Sequence, residues 1–169
     1  MSAGSLHWLG LGANLGDRLA ALRAAVAWLE RAGVRVEAVS RVYETAPRDV
    51  TDQPDFLNAA CRVRTALDPP ALLALVKRME AELGRVPGAR FGPRAIDCDL
   101  LLWEGGEWRA PDLVIPHPRL AERRFALLPL LDLDPGLRLP GGASVAELAG
   151  AIGDDEQAVR PLGPASDLR

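Results

Sequence analysis

The segment Asp97-Cys98-Asp99-Leu100-Leu101-Leu102-Trp103 constrains the fold more than any other part of the chain. Its apolar residues need burial, and its two carboxylates need water or cations. An extended strand reconciles the two demands, because successive side chains alternate faces: Asp97 and Asp99 point one way while Ile96, Cys98 and Leu100 point the other. Two residues along a strand rise by about 6.6 Å, which lets both carboxylates lean onto one cation or onto a pair roughly 3.5 to 4 Å apart. That geometry suits magnesium. Just upstream, Arg90 and Arg94 bracket Gly92 and Pro93, placing cations beside the anions, as a phosphate-bearing substrate bridging metal and guanidinium requires.

The 169 residues suit a single domain, 1–169, with a real core. The composition, 49% hydrophobic and 25% charged, is that of an ordinary soluble protein. A net charge of −3 and 5% aromatics argue against a nucleic-acid partner, which calls for a basic stripe with stacking rings. A small anionic ligand needs only a local cluster and stays open. The start of the chain, Met1 to Trp8, lacks the pattern of a signal peptide, and no stretch approaches 18 uninterrupted apolar residues, so no membrane partner is expected. The expectation is a cytoplasmic monomer. Cys61 and Cys98 sit in apolar strand patterns without metal-ligand spacing and read as reduced, buried thiols.

In chain order, Leu6 to Ala13 predicts a strand, and Asn14 to Asp17 starts a helix whose stripe is Leu19, Leu22, Val26 and Leu29, ended by Gly33. Gly10, Gly12 and Gly16 do not complete a dinucleotide fingerprint, since Leu15 stands where glycine is required, and no Gly-Lys-Ser/Thr follows for a P-loop. They serve either close backbone packing or a small ligand lying against the strand end. Val34 to Thr45 predicts one strand, 47–54 a loop, and Asp55 to Thr65 a strand with Leu57, Ala59, Cys61 and Val63 on one face. Phe56 and Asn58 share the other face, a ring beside an amide, which fits either a flat heterocycle or plain packing. Asp68-Pro69-Pro70 starts a second helix with Leu72, Leu75, Val76, Met79 and Leu83 as its stripe. Glu80 lies near the C-terminus of that helix, where the macrodipole disfavours an acid; alone it reads as a solvated charge. The stretch 85–94, with Arg85, Arg90 and Arg94 among glycines and prolines, reads as a phosphate-binding lid. A hairpin turn is expected at 104–107. His117 is followed by Arg119, Arg123 and Arg124, a group able to face an anion. Phe125 to Leu133 is helix-compatible and 135–142 turn-rich. The polar tail 153–169 has no periodicity and predicts no regular element and a disordered end. Strand, helix, strand, strand, helix, strand is the order of an α+β, ferredoxin-like βαββαβ core with an antiparallel sheet, here followed by an appended C-terminal helical and loop segment.

The run Phe91-Gly92-Pro93-Arg94-Ala95-Ile96-Asp97-Cys98-Asp99-Leu100 resembles the signature of the 6-hydroxymethyl-7,8-dihydropterin pyrophosphokinases of folate biosynthesis. Segments 10–16, 43–47, 52–60 and 114–125 agree in the same order. The resemblance implies a transferase that moves pyrophosphate from ATP to the pterin hydroxymethyl group and releases AMP. It implies two Mg2+ ions on Asp97 and Asp99, with Arg85 and Arg94 joining them in catalysis. It further implies a pterin site of Gly12, Thr45, Pro47, Phe56, Asn58 and Phe125, in which the two rings sandwich the pterin. The implied ATP site comprises Glu80, Arg85, Arg90, Arg94, Ile96, His117 and Arg123. No dedicated general base is evident. The chain departs from the family at Phe91, where many members carry tryptophan, at Pro87, where arginine is frequent, and at Pro118, where an aromatic is common. Two other readings are a nucleotidyl- or phosphotransferase with a different acceptor, separated by its leaving product, and a non-enzymatic ferredoxin-like binding module, against whose RNA version the acidic pI and few aromatics argue.

Overall fold

From Ser5 the chain forms β1 (Ser5–Ala13), α1 (Arg18–Arg31), β2 (Arg35–Val39), β3 (Val42–Thr45), β4 (Phe56–Thr65), α2 (Pro69–Leu83), β5 (Asp97–Trp103), β6 (Trp108–Ala110) and β7 (Leu113–Ile115). A 3-10 turn at Leu120–Glu122 then leads into α3 (Arg124–Leu133), α4 (Val145–Ala151) and β8 (Val159–Gly163). The computed structural model describes residues 4–46, 55–84, 95–153, 157–163 and 168. The main sheet runs β5-β1-β4-β3-β8, with β2 also paired to β4, and its pairings are antiparallel. Without β8 this is the ferredoxin-like order that the sequence predicts.

The strand expected over 34–45 is two collinear strands on β4. The register runs from Arg35 opposite Arg64 to Thr45 opposite Phe56, slips between Val36 and Ala38, and is broken again after Ser40. There Ser40 N–H donates to the Ala60 carbonyl at 2.8 Å, while Ala60 N–H donates to Ser40 Oγ at 2.8 Å. Ser40 Oγ–H in turn donates to the Arg41 carbonyl at 2.7 Å. A hydroxyl thus replaces one rung of the ladder, a local substitution that serine makes readily.

Both helices of the core start on aspartate caps. Asp17 Oδ1 accepts from Ala20 N–H at 3.0 Å and Asp68 Oδ1 from Ala71 N–H at 3.0 Å, contacts typically worth about 1 kcal/mol each. Their apolar stripes, Leu22, Val26 and Leu29 of α1 and Leu72, Val76 and Met79 of α2, close one sheet face over Leu9, Leu11, Ala13, Leu57, Cys61, Val63 and Leu100. On the opposite face Trp8, Ala60, Leu101 and Leu102 pack against Ala126, Leu127 and Leu130 of α3 and Val145 and Ala149 of α4. Polar ties hold the end of α3 down: Trp8 Nε1–H donates to Asp134 Oδ2 at 2.7 Å, Arg62 Nη1 to Asp134 Oδ1 at 2.8 Å, and Tyr43 O–H to Asp132 Oδ2 at 2.8 Å. Burial and Asp132 together push the Tyr43 hydroxyl up to about 12.

Two expectations are corrected. The tail is not wholly irregular: Val159–Gly163 adds a strand to β3, and Leu168 is buried in the α1–α2 core. After the turn at Glu104–Glu107, where Gly106 N–H donates to the Trp103 carbonyl at 2.9 Å, β6 leaves the main sheet and pairs with β7 in a separate ribbon. Trp108 packs edge-on against Trp103 there, with centroids 5.8 Å apart.

Candidate active site

The face under α3 and α4 is covered only toward Trp8; farther along β1 it lies open. Across that open stretch the register sets Asp97, Gly12 and Asn58 in one row and Asp99, Gly10 and Ala60 in the next. The floor is bare backbone for a steric reason. A Cβ at Gly12 would come within 3.1 Å of Asn58 Oδ1, and one at Gly10 within 3.0 Å of the Leu101 side chain. Above the floor is a cleft of about 540 Å³, within the range of small-molecule sites. It brings together nine of the site residues that the resemblance implies: Gly12, Thr45, Phe56, Asn58, Asp97, Asp99, His117, Arg123 and Phe125. Pro47, Arg85, Arg90 and Arg94 lie outside the described residues.

One end of the cleft suits a flat polar ring. Phe56 opens β4 and Phe125 stands in the first turn of α3, so two rings from different elements border it. Asn58 Nδ2–H donates to Thr45 Oγ1 at 2.8 Å, with both side chains buried, which fixes the amide and leaves its Oδ1 beside Gly12. At the other end the carboxylates stand on an edge strand, Asp97 half-buried and Asp99 exposed.

Two expected site residues lie elsewhere. Ile96 is buried in the α1–α2 core because it shares the strand face of Cys98 and Leu100. Glu80 does not line the cleft: its Oε2 accepts the Cys98 N–H at 2.9 Å, and Lys77 Nζ sits 3.1 Å from its Oε1. On an edge strand that N–H has no neighbouring strand, so an acid that looks misplaced on α2 satisfies the backbone between the two aspartates. Cys98 itself is buried, and desolvation, reinforced by the charges of Asp99 and Glu80, raises its thiol well above the ordinary range.

A β-bulge carries the basic group to the site. Pairing of β5 with β1 slips between Leu9–Leu100 and Trp8–Leu102, leaving Leu101 as the extra residue; bulges of this kind re-aim side chains. The Leu101 side chain joins the cleft wall, and its carbonyl accepts the His117 N–H at 3.0 Å. His117 Nδ1 accepts from Arg119 N–H at 3.1 Å, so the neutral ring carries its proton on Nε2. Burial lowers the His117 pKa, and Arg123 and Arg119 act in the same direction against the charge of Asp99. A neutral N–H donor results. The Arg123 guanidinium lies 5.7 Å from the centre of the Phe125 ring. Arg119, part of the basic group expected to face an anion, also lines the cleft, and so does Leu120, which was not expected there. Arg124 faces away and donates from Nη1 to the Gln157 carbonyl at 3.0 Å.

The arrangement offers carboxylates for a cation, donors for an anion, and ring walls for a planar heterocycle. The family model for 7,8-dihydro-6-hydroxymethylpterin-pyrophosphokinase matches residues 8–135. The chain belongs to this family. Among its relatives is the 2-amino-4-hydroxy-6-hydroxymethyldihydropteridine pyrophosphokinase of Bacillus subtilis, 44% identical over 130 residues, 76% of this chain and 78% of that protein. The protein of the same name from Methylorubrum extorquens is 46% identical over 141 residues, 83% of this chain and 89% of its own length. The mitochondrial folate synthesis bifunctional protein of Pisum sativum is 45% identical over 125 residues, 74% of this chain, and the match covers only 24% of that longer protein. The chain thus spans about a quarter of this plant relative and most of each bacterial one. The crystal structure of wild-type Plasmodium falciparum HPPK-DHPS shares the fold with a TM-score of 0.69 at 15% identity, covering 87% of this chain and 44% of that one. The family match ends at residue 135, before α4 and β8.

Proposed function

We propose that this chain transfers a diphosphoryl group from ATP to the hydroxymethyl oxygen of 6-hydroxymethyl-7,8-dihydropterin, releasing AMP. The observation that carries this reading is the row Asp97, Gly12, Asn58 on one open sheet face with Phe56 and Phe125 at its border. Such a row sets a planar substrate on a glycine floor with its reacting arm directed toward the carboxylates.

Phe56 and Phe125 take the two faces of the pterin, and Asn58 Oδ1 accepts an N–H from its edge. Thr45, Gly12 and Pro47 complete the pocket. His117 Nε2–H, Arg123 and Arg119 face the phosphates, joined by Arg85, Arg90 and Arg94, with Ile96 able to contribute only backbone. Glu80 supports β5 and acts on nucleotide only through it. Asp97 and Asp99 are the ligands for two Mg2+ ions. Among the described residues no group of three or more His, Cys, Asp or Glu could hold a metal. Two carboxylates alone fit magnesium, which takes one or two from the protein and the remainder from phosphates and water. Bound there, the ions would neutralise phosphate charge.

In the reaction the pterin hydroxymethyl oxygen attacks the β-phosphorus in line. The new O–P bond forms as the bond from that phosphorus to the bridging α-phosphate oxygen breaks; AMP leaves with that oxygen and the hydroxyl proton is released to water. Catalysis of this kind is positioning plus charge stabilisation, which the cleft's donors and walls supply. We further propose one pyrophosphokinase domain over residues 1–169, acting as a cytoplasmic monomer. No helix among the described residues is long and apolar enough to cross a membrane. Incubation with Mg2+, ATP and the reduced pterin tests the activity: AMP and the pterin diphosphate are expected in equal amounts, and ADP or free pyrophosphate as the product overturns the reading.

A further inference from the structure

Residues 157–160 touch both walls of the flat-ligand end. On one side Gln157 grips the junction into α3: its Oε1 accepts the Arg124 N–H at 3.0 Å, its Nε2–H donates to the Glu122 carbonyl at 2.8 Å, and its own carbonyl accepts from Arg124 Nη1 at 3.0 Å. The Arg124 N–H is the first of the helix, and Arg123, in the cap position, makes no side-chain capping bond. Gln157 therefore caps α3 from 33 positions away in the sequence. The residues beside the gripped ones are Arg123 and Phe125, both in the cleft. On the other side, two residues further on, Val159 pairs with Thr45, which itself pairs with Phe56. Arg160 adds an ion pair at 3.2 Å to Glu44, which also holds Arg18 at 3.2 Å.

Within two residues the chain thus contacts the immediate neighbours of both rings. We propose that 157–160 is a strap that sets the separation of Phe56 and Phe125, with Gln157 as a positioning residue for the pterin through α3. This inference rests on the proposed function for the identity of the planar ligand. Helix caps constrain the first turn most strongly, and Phe125 stands in that turn. Extended chain spans about 3.3 Å per residue, so the two grips fix a short, nearly inextensible distance. The strap lies beyond the part of the chain that the family model matches.

The test is a double-substitution cycle on the full chain, reading pterin affinity, ATP affinity and the thermal midpoint. Gln157→Ala is expected to weaken pterin binding about five- to tenfold, the scale of a lost cap. Gln157→Glu keeps the acceptor for Arg124 N–H but loses the donor to the Glu122 carbonyl, and should recover only part of that loss. In a Phe125→Ala background Gln157→Ala should have no further effect on pterin affinity, since it acts through that ring. Equal losses in both backgrounds, no loss in either, or a lowered midpoint with unchanged pterin affinity each overturn the strap. Absence of pterin binding by the unsubstituted protein would instead overturn the proposed function, so the two failures are distinguishable.

Discussion

The two faces of one sheet differ more than their shared backbone requires. Along β1, Leu9, Leu11 and Ala13 fill the face under α1 and α2, whereas Trp8, Gly10 and Gly12 form the other. The first face is a closed core and the second an apolar half under α3 and α4 followed by an open floor. Alternation alone produces both. What makes one a site is the removal of side chains at two central positions, flanked by groups, Asn58, Asp97 and Asp99, that keep polar atoms pointing into the space left behind.

If that division is correct, substitutions on the two faces separate chemistry from stability. The largest effect belongs to the open face: Asp97→Ala or Asp99→Ala lowers steady-state turnover by about 10²-fold or more, the usual loss for a central electrostatic contact, while the unfolding midpoint stays near that of the unsubstituted chain. A loss below tenfold would remove the carboxylates from the reaction. On the closed face, Leu9→Ala, fully buried, costs about 2 to 5 kcal/mol in denaturant unfolding, with turnover per folded molecule unchanged.

A subtler probe fills the floor. Gly12→Val sets a Cβ 3.1 Å from Asn58 Oδ1, too tight a contact; overpacking of this kind costs roughly 1 to 3 kcal/mol. The loss is expected in pterin affinity by titration far more than in ATP affinity. Equal losses for both ligands would merge the two ends of the cleft into one.

The smallest effect tests the closed face by pH. His7 is fully buried beside Trp103, and its ring nitrogens have no hydrogen-bond partner among the described residues. Burial holds its pKa below the ordinary 6.5, only partly offset by the Leu67 backbone and Glu104. Between the folded value and 6.5 the unfolded chain binds the extra proton, so stability falls as pH drops through that window. Acidification from about pH 7.5 to about pH 5 is expected to lower the unsubstituted protein's stability more than that of His7→Leu, read by denaturant midpoints. An identical pH dependence would mean that His7 is already partnered in the folded state.

Much of this was legible in the sequence because alternation and helical stripes are local. The shared face of Asp97 and Asp99, the pairing of Phe56 with Asn58, and both capped helices follow from spacing. The rest fails for specific reasons. Leu100-Leu101-Leu102 carries no phase, so the bulge that turns Leu101 into the cleft and brings in His117 leaves no trace in the pattern. Ser40 breaks a strand through its hydroxyl, which periodicity does not register. Glu80 reads as a surface charge because its partner is a backbone N–H on another element. Strand β8 is short, bears a proline and is largely exposed, and its partner lies more than a hundred residues earlier. Its existence depends on tertiary pairing that local composition does not encode.

The position of Cys98 has a practical consequence for anyone seeking a covalent ligand. A thiol one residue from each of two cleft carboxylates looks like a natural anchor, yet it points into the core with its proton firmly held. Cysteine-directed electrophiles delivered to this cleft would therefore meet no competent sulfur, and durable occupancy has to come from the rings, the amide and the charges instead.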